Sequence, residues 1–373
     1  MLDHVNAAVQ AVLDEIVAGG HEIGLQAAAY LNGAPIVDAW AGVADRATGR
    51  PVDGDTLFSV FSTTKGITAT CIHMLAQWGW LEYDAPVADY WPQFGVHGKD
   101  RVTVRHVLIH QAGLPDAPRG LTTRDWGDWD RIVDAIAAAP LAWEPGTRTH
   151  YHAQTFGWIL GEVVRRVDGR PIEEFIQQEI NAPLGIQDLY LGIPDDVEPR
   201  VATLVDATAP NATPIYNRPA VRRSVLPGSG GIMSARALAR VYAALVAPVD
   251  GVQLLNPKTV AEATTLQAEA YEPAWDIHVR RGLGYLLGGP LPPRRADAGP
   301  AYSIVYGVLK TMGERETVFG HGGADGSVGF ADRETRLAVG IAKNLMASAL
   351  DRSEQPAVYR IVETIRKKLK QGE

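Results

Sequence analysis

A single cysteine, Cys71, stands in 373 residues, so no intramolecular disulfide can form and nothing ties the chain to an oxidising compartment. No apolar run is long enough to span a bilayer, so no membrane partner is expected. The first residues lack the basic-then-apolar order of a secretory signal, which makes the cytoplasm the expected location. Positive charge is scarce: 35 basic against 43 acidic residues leave a net charge of -8. A nucleic-acid surface needs clustered Lys and Arg to neutralise phosphates, so no nucleic-acid partner is expected either. The one basic run, Arg366-Lys367-Lys368 with Lys370, reads as the dipole-favoured end of a last helix. Several catalytic signatures are missing as well. There is no Gly-x-Ser-x-Gly elbow, no Gly-x-x-x-x-Gly-Lys-Ser/Thr loop and no His-Glu-x-x-His pair. The pairs His106/His110 and His150/His152 do not supply the three or four converging ligands of a zinc site. No metal or other cofactor is expected.

The length exceeds what one core usually holds, and 46% hydrophobic with 21% charged residues is ordinary for a packed globular chain. Apolar residues at Val5, Val9, Leu13 and Ile16 predict a helix over 3–18, ended by Gly19-Gly20. Two strand-like runs, Gly24–Leu31 and Pro35–Ala41, flank Asn32-Gly33, a strong hairpin signal because both residues tolerate positive φ. A second helix is predicted from Ser62 to about Trp78. Helical patterns then dominate to about residue 245, as in 158–167, 172–180 and 238–246. Strand-like runs return at 282–287, 301–310, 317–320 and 337–342, followed by a helix over about 355–370. Residues 290–300, rich in Pro and Arg, read as a long surface loop. The expected architecture is mixed α and β, an antiparallel sheet flanked by helices. One lobe is built from 1–84 and 250–373, a mostly helical lobe from 85–249 is inserted, and the active site lies between them.

Three segments could carry chemistry. In Ser62-Thr63-Thr64-Lys65 a serine and a lysine three apart share one helix face near the positive end of the dipole. A lysine whose pKa is lowered by burial can act as the serine's base. A serine near a helix start is also what a simple cap looks like. Yet of nine serines Ser62 alone has a lysine three places on, and apolar sequence surrounds the tetrad. Second, Pro145-Gly146 leads to Tyr151. That tyrosine could accept the serine proton if a nearby Lys65 ammonium favours its phenolate, or it could be a buried aromatic with a backbone partner. Third, Phe319-Gly320-His321-Gly322-Gly323-Ala324 follows a strand-like run. Its glycines would let a substrate approach the backbone, although a plain glycine-rich turn has the same appearance.

In this order and spacing the three segments resemble the serine β-lactamase and penicillin-binding-protein fold, and in style the β-lactamase-like (family VIII) carboxylesterases. The stretches 107–114, 156–161, 230–239 and 282–285 are similar to family segments too, so the resemblance spans about 20–345. It implies that Ser62 is the nucleophile, Lys65 its partner and Tyr151 the tyrosine of Tyr-x-Asn. It also implies that His321-Gly322-Gly323 occupies the Lys-Thr-Gly position, with an oxyanion hole from the backbone N–H groups of Ser62 and Ala324. Two departures stand out. Ala153 replaces the Asn of Tyr-x-Asn, and His321, a weaker and pH-dependent cation, replaces Lys. Both disfavour β-lactam or peptide substrates and suit neutral esters. The expected function is a carboxylesterase working through a Ser62 acyl-enzyme, with a small ester or acyl donor as partner. Transfer of the acyl group to an alcohol or amine is the alternative, and a non-catalytic ligand sensor is an alternative of another class. The sequence does not set the oligomeric state.

Overall fold

The computed structural model describes residues 2–295, 297–346, 353 and 355–371. Its centre is a nine-stranded antiparallel sheet. The N-terminal strands are β1 (Gly24–Leu31), β2 (Ala34–Asp45) and β3 (Arg50–Pro51). The C-terminal strands are β8 (Ala268–Glu272), β9 (Ile277–Arg281), β10 (Leu286–Leu287), β11 (Val318–Gly322), β12 (Val328–Asp332) and β13 (Leu337–Lys343). The spatial order is β3-β2-β1-β13-β12-β11-β10-β9-β8, so the two ends of the chain meet where β1 pairs with β13. Between them in sequence lie β4 (Phe58–Ser59), β5 (Leu189–Leu191) and β7 (Gly231–Met233), which form a small separate sheet in the order β4-β7-β5. A short parallel pair joins β6 (Val205–Asp206) to β14 (Leu345–Met346).

Helices cover both faces of the large sheet. The terminal helices α1 (Asp3–Ala18) and α7 (Ala357–Gln371) bury Val5, Val9, Leu13, Ile361, Val362 and Ile365 against one face. On the other face α5 (Ala235–Val246) crosses β12 and β13, where Gly329 and Gly340 are directly opposite each other in register. A Cβ on Gly340 would lie 2.5 Å from the Ala235 carbonyl oxygen, and one on Gly329 2.6 Å from the Tyr242 ring. The paired glycines thus make the groove that seats α5. Beyond it α2 (Thr64–Gln77) packs against α4 (Thr155–Asp168), with α3 (Trp129–Ala138) outside them. Every residue of α2 from Thr64 to Leu75 is buried. That burial matters for the chemistry, because Lys65 lies in its first turn.

The mixed architecture and the antiparallel sheet agree with the sequence reading, as do both hairpin strands and the first and last helices. Asn32 and Gly33 adopt φ of +50° and +80° in the expected turn. One element is a correction. Residues 301–310, predicted as a strand, belong to helix α6 (Pro300–Met312). The Tyr, Ile and Val content of that run favours strand, but Tyr302, Val308, Leu309 and Met312 fall on one buried helical face. Pro300 starts the helix, and Gly313 at φ +96° ends it. Within 282–287 only Leu286–Leu287 is strand, because Gly284 turns the chain at φ +80°. Residues 290–295 and 297–299 are loop; residue 296 lies outside the described residues.

The hairpin turn offers a test. A Cβ on Gly33 would sit 1.9 Å from the Pro248 carbonyl oxygen, whereas one on Gly49 (φ +73°) meets nothing within 4 Å. Gly49→Ala should cost only the left-handed backbone strain, about 1–2 kcal/mol. Gly33→Ala should lower the urea midpoint distinctly further. Equal midpoints for the two variants would contradict the packing described.

Candidate active site

Hydrogen bonds to neighbouring segments hold the turn that carries the tetrad. Phe61, just before it, has φ +47°, an uncommon conformation for a bulky residue, and it turns the chain from β4 into a short 3-10 turn (Phe61–Thr63) that leads into α2. The Thr64 hydroxyl donates to the Phe61 carbonyl (2.5 Å) and accepts from the Gly231 N–H of β7 (2.9 Å), holding that turn in place. The Thr63 hydroxyl donates to the Ser327 carbonyl (3.2 Å) and ties the turn to the start of β12. Ser62 is half-buried and lines a cavity of about 450 Å³.

Lys65 is fully buried, and its Nζ makes three contacts: the carbonyl oxygens of Ala153 (2.8 Å) and Gly228 (2.7 Å), and Ser62 Oγ (3.3 Å). No carboxylate is among them. Burial therefore acts without compensation and holds the amine well below the ordinary lysine range. A neutral amine has two N–H donors and one lone pair. The two carbonyls take the donors, and the lone pair is left for the Ser62 hydroxyl.

Tyr151 packs over this group, with Lys65 Nζ 4.6 Å from its ring centroid. Its hydroxyl is buried and lacks a partner at full hydrogen-bond geometry, although Ser62 lies close enough to favour the phenolate somewhat. Burial outweighs that and pushes the phenol up. An ammonium beside a phenolate is thus disfavoured here: burial drives both groups toward their neutral forms. The backbone of Tyr151 is anchored from β8, where Glu272 Oε1 accepts its N–H at 2.9 Å and that of Ala274 at 3.1 Å. The other Glu272 oxygen pairs with Arg281 of β9 at 2.6 Å, both side chains being almost completely buried. Arg281 in turn lies over Trp275, whose ring is 4.3 Å from that of Tyr151.

His321 on β11 lines the same cavity, and Nδ1 bonds the Gly322 carbonyl at 2.9 Å. The expectation of a cation here is corrected. Burial drives the imidazole down to about 3, so it is neutral. His110 and His152 are lowered for the same leading reason. Gly322, Gly323 and Ala324 also line the cavity. Neither the Ser62 N–H nor the Ala324 N–H donates to a backbone carbonyl among the described residues. The structure therefore brings Ser62, Tyr151, His321, Gly322, Gly323 and Ala324 together around one cavity, with Lys65 buried in contact with Ser62.

The sequence reading missed several neighbours. Phe61, Gln154, Tyr216 and Ser229 line one side, and Ala301, Ile304, Val305 and Val308 of α6 form an apolar wall on another. That wall was unreadable because 301–310 looked like a strand. Trp275 lines the cavity as well, whereas Trp129 donates to Glu162 elsewhere. Among the described residues, no group of three His, Cys, Asp or Glu side chains is placed to hold a metal. A separate cleft of about 340 Å³ near Arg200, Arg236 and Arg240 has those side chains paired with Asp188, Asp38 and Asp250.

A family model for the beta-lactamases matches residues 9–363. The chain belongs to that family of serine hydrolases, as its motif order suggested. It is similar to the esterase/beta-lactamase LipL of Mycobacterium tuberculosis, 34% identical over an alignment covering 91% of this chain and 81% of LipL. Among solved structures it superposes on a family VIII carboxylesterase with a TM-score of 0.84 and 31% identity, covering 97% of each chain. A penicillin-binding protein homolog from Caulobacter crescentus gives a TM-score of 0.83, also at 31% identity and 97% of each chain. Among the described residues no helix is long and apolar enough to cross a membrane.

The buried pair behind Tyr151 yields a prediction. Glu272→Ala leaves the Arg281 charge buried and unpaired and should destabilise the protein by about 3–5 kcal/mol. Glu144→Ala breaks the exposed Arg101–Glu144 pair, whose side chains are 67% and 60% accessible, and should cost less than about 1 kcal/mol. Denaturant titration of both variants checks the contrast. A similar small loss in each would contradict it.

Proposed function

We propose that the protein is a carboxylesterase that cleaves neutral esters through an acyl-enzyme on Ser62. The observation that carries this reading is the fully buried Lys65 amine, bonded to two backbone carbonyls and 3.3 Å from Ser62 Oγ. In its neutral form Lys65 takes the Ser62 proton as Oγ attacks the ester carbonyl. The N–H groups of Ser62 and Ala324 receive the oxyanion. Collapse expels the alkoxide, which takes a proton from the Tyr151 hydroxyl; the Lys65 ammonium restores that proton. Water then attacks the acyl-enzyme, its proton returning along the same groups, and Ser62 is released.

The lining argues for the substrate class. Among the described residues, no Arg, Lys, Asp or Glu side chain lines the cavity, and His321 is neutral. A carboxylate-bearing substrate finds no counter-ion there, whereas an uncharged ester with an apolar acyl group faces Trp275, Ile304, Val305 and Val308. The similarity to LipL, an esterase/beta-lactamase, supports this reading.

Intact-protein mass after brief mixing with p-nitrophenyl butyrate, with nitrophenol release followed in parallel, tests the proposal. A transient butyryl adduct and turnover are expected in the wild type and in neither assay for Ser62→Ala. Full turnover by Ser62→Ala would sink the mechanism. Product that shifts to a new ester when an alcohol is added would identify an acyltransferase instead. Absence of both adduct and turnover in the wild type would favour a ligand sensor.

The pH dependence follows from the same groups. Lys65 must be neutral to act, so kcat/KM falls as pH drops through its lowered pKa and rises above it. His321 stays neutral across that range, so His321→Gln should leave the rising limb where it is. A limb that moves with this substitution would show that His321 titrates there.

A further inference from the structure

Lys65 is clamped by two carbonyls from distant parts of the chain. Ala153 precedes α4, and Gly228 lies in the loop that leads into β7. The residue following each acceptor carries a polar side chain, and these two side chains bond each other although 75 residues separate them. The Ser229 hydroxyl donates to Gln154 Oε1 at 2.9 Å. Tyr216 closes the ring: its hydroxyl donates to Ser229 Oγ at 2.8 Å and accepts from Gln154 Nε2 at 3.3 Å. Each hydroxyl thus gives one hydrogen and receives one, and the ring is complete without a further partner. The Tyr216 ring also packs 4.6 Å from that of Phe61, the positive-φ residue that turns the chain into Ser62.

We infer that Gln154, Ser229 and Tyr216 form a clasp that fixes the spacing of the Ala153 and Gly228 carbonyls around Lys65 and braces the turn that carries Ser62. They are positioning residues, acting on the reaction through Lys65. The inference rests on the reading of Lys65 as the base of Ser62. The geometry explains why the spacing needs fixing. Both carbonyls must stay within hydrogen-bond reach of one nitrogen, and Gln154, Ser229 and Tyr216 line the open cavity beside those carbonyls. Loss of the clasp would let a carbonyl slip and water reach Nζ. Hydration favours the ammonium, because burial is what holds the amine neutral. The titratable groups facing Lys65 are Tyr151, His110, His152 and His321, all held neutral by burial, and Arg281, which is paired with Glu272. None of them offers Lys65 a compensating negative charge.

The test measures kcat and KM for p-nitrophenyl butyrate against pH in Ser229→Ala, Ser229→Thr and Tyr216→Phe, with Ser62→Ala alongside. Tyr216→Phe keeps the ring on Phe61, so it preserves the packing even if Ser229→Ala does not fold. For Ser229→Ala and Tyr216→Phe, kcat at neutral pH should fall about tenfold or more and the rising limb should move to higher pH. Ser229→Thr, which keeps the hydroxyl, should recover most of the loss. Combining Ser229→Ala with Tyr216→Phe should lose little beyond either single substitution, because the ring acts as a unit. A limb that stays in place in Tyr216→Phe overturns the clasp, and a rise in KM alone would mark these side chains as substrate contacts. Activity retained by Ser62→Ala would instead overturn the underlying esterase reading, whatever the clasp variants do.

Discussion

The site depends on one constraint: an amine kept out of water with no carboxylate beside it. Desolvating a lysine is costly, and proteins normally offset the cost with an ion pair. Here two backbone carbonyls satisfy both N–H groups of the neutral form, and the charged form finds no counter-ion. The fold supplies this by burying the first three turns of α2 on all sides. Helix α4, through Phe156, the Tyr151 ring and the loop before β7 close on Lys65.

The surrounding groups are consistent with that constraint. Tyr151, His110, His152 and His321 are each driven to their neutral forms by burial. The one permanent charge nearby, Arg281, is matched by Glu272, which also holds the Tyr151 backbone. Glu272 therefore joins electrostatics to geometry: it neutralises the guanidinium and fixes the tyrosine in the same contact. The result is a cavity with polar atoms but no unbalanced charge, which is the environment an uncharged ester carbonyl requires.

Much of this was legible before the fold was known. The Ser62/Lys65 spacing, the position of Tyr151 and the glycine-rich His321 segment are local patterns, and their order carried the family resemblance. The long helices and the Asn32-Gly33 hairpin were readable for the same reason, since periodicity and turn chemistry act over a few residues. What was hidden depended on contacts distant in sequence. The neutral state of His321 is set by burial, which a motif does not show. The Gln154–Ser229 bond joins segments 75 residues apart. Strands β8, β9 and β12 escaped notice because two are short hairpin strands at the sheet edge with charged residues, and the third carries a glycine that serves helix packing. Helix α6 was misread because its β-branched and aromatic content outweighed its periodicity until a partner surface was known.

The central claim is that Lys65 is a neutral amine at physiological pH, and nuclear magnetic resonance tests it most directly. Labelling lysine at Cε and Nζ and titrating the protein would separate Lys65 from the surface lysines, with Lys65→Arg giving the assignment. The account predicts one lysine resonance that titrates well below the rest and is already in its amine form at neutral pH. A Lys65 signal that remains an ammonium and titrates together with the surface lysines, near the ordinary lysine value of about 10.4, would contradict it.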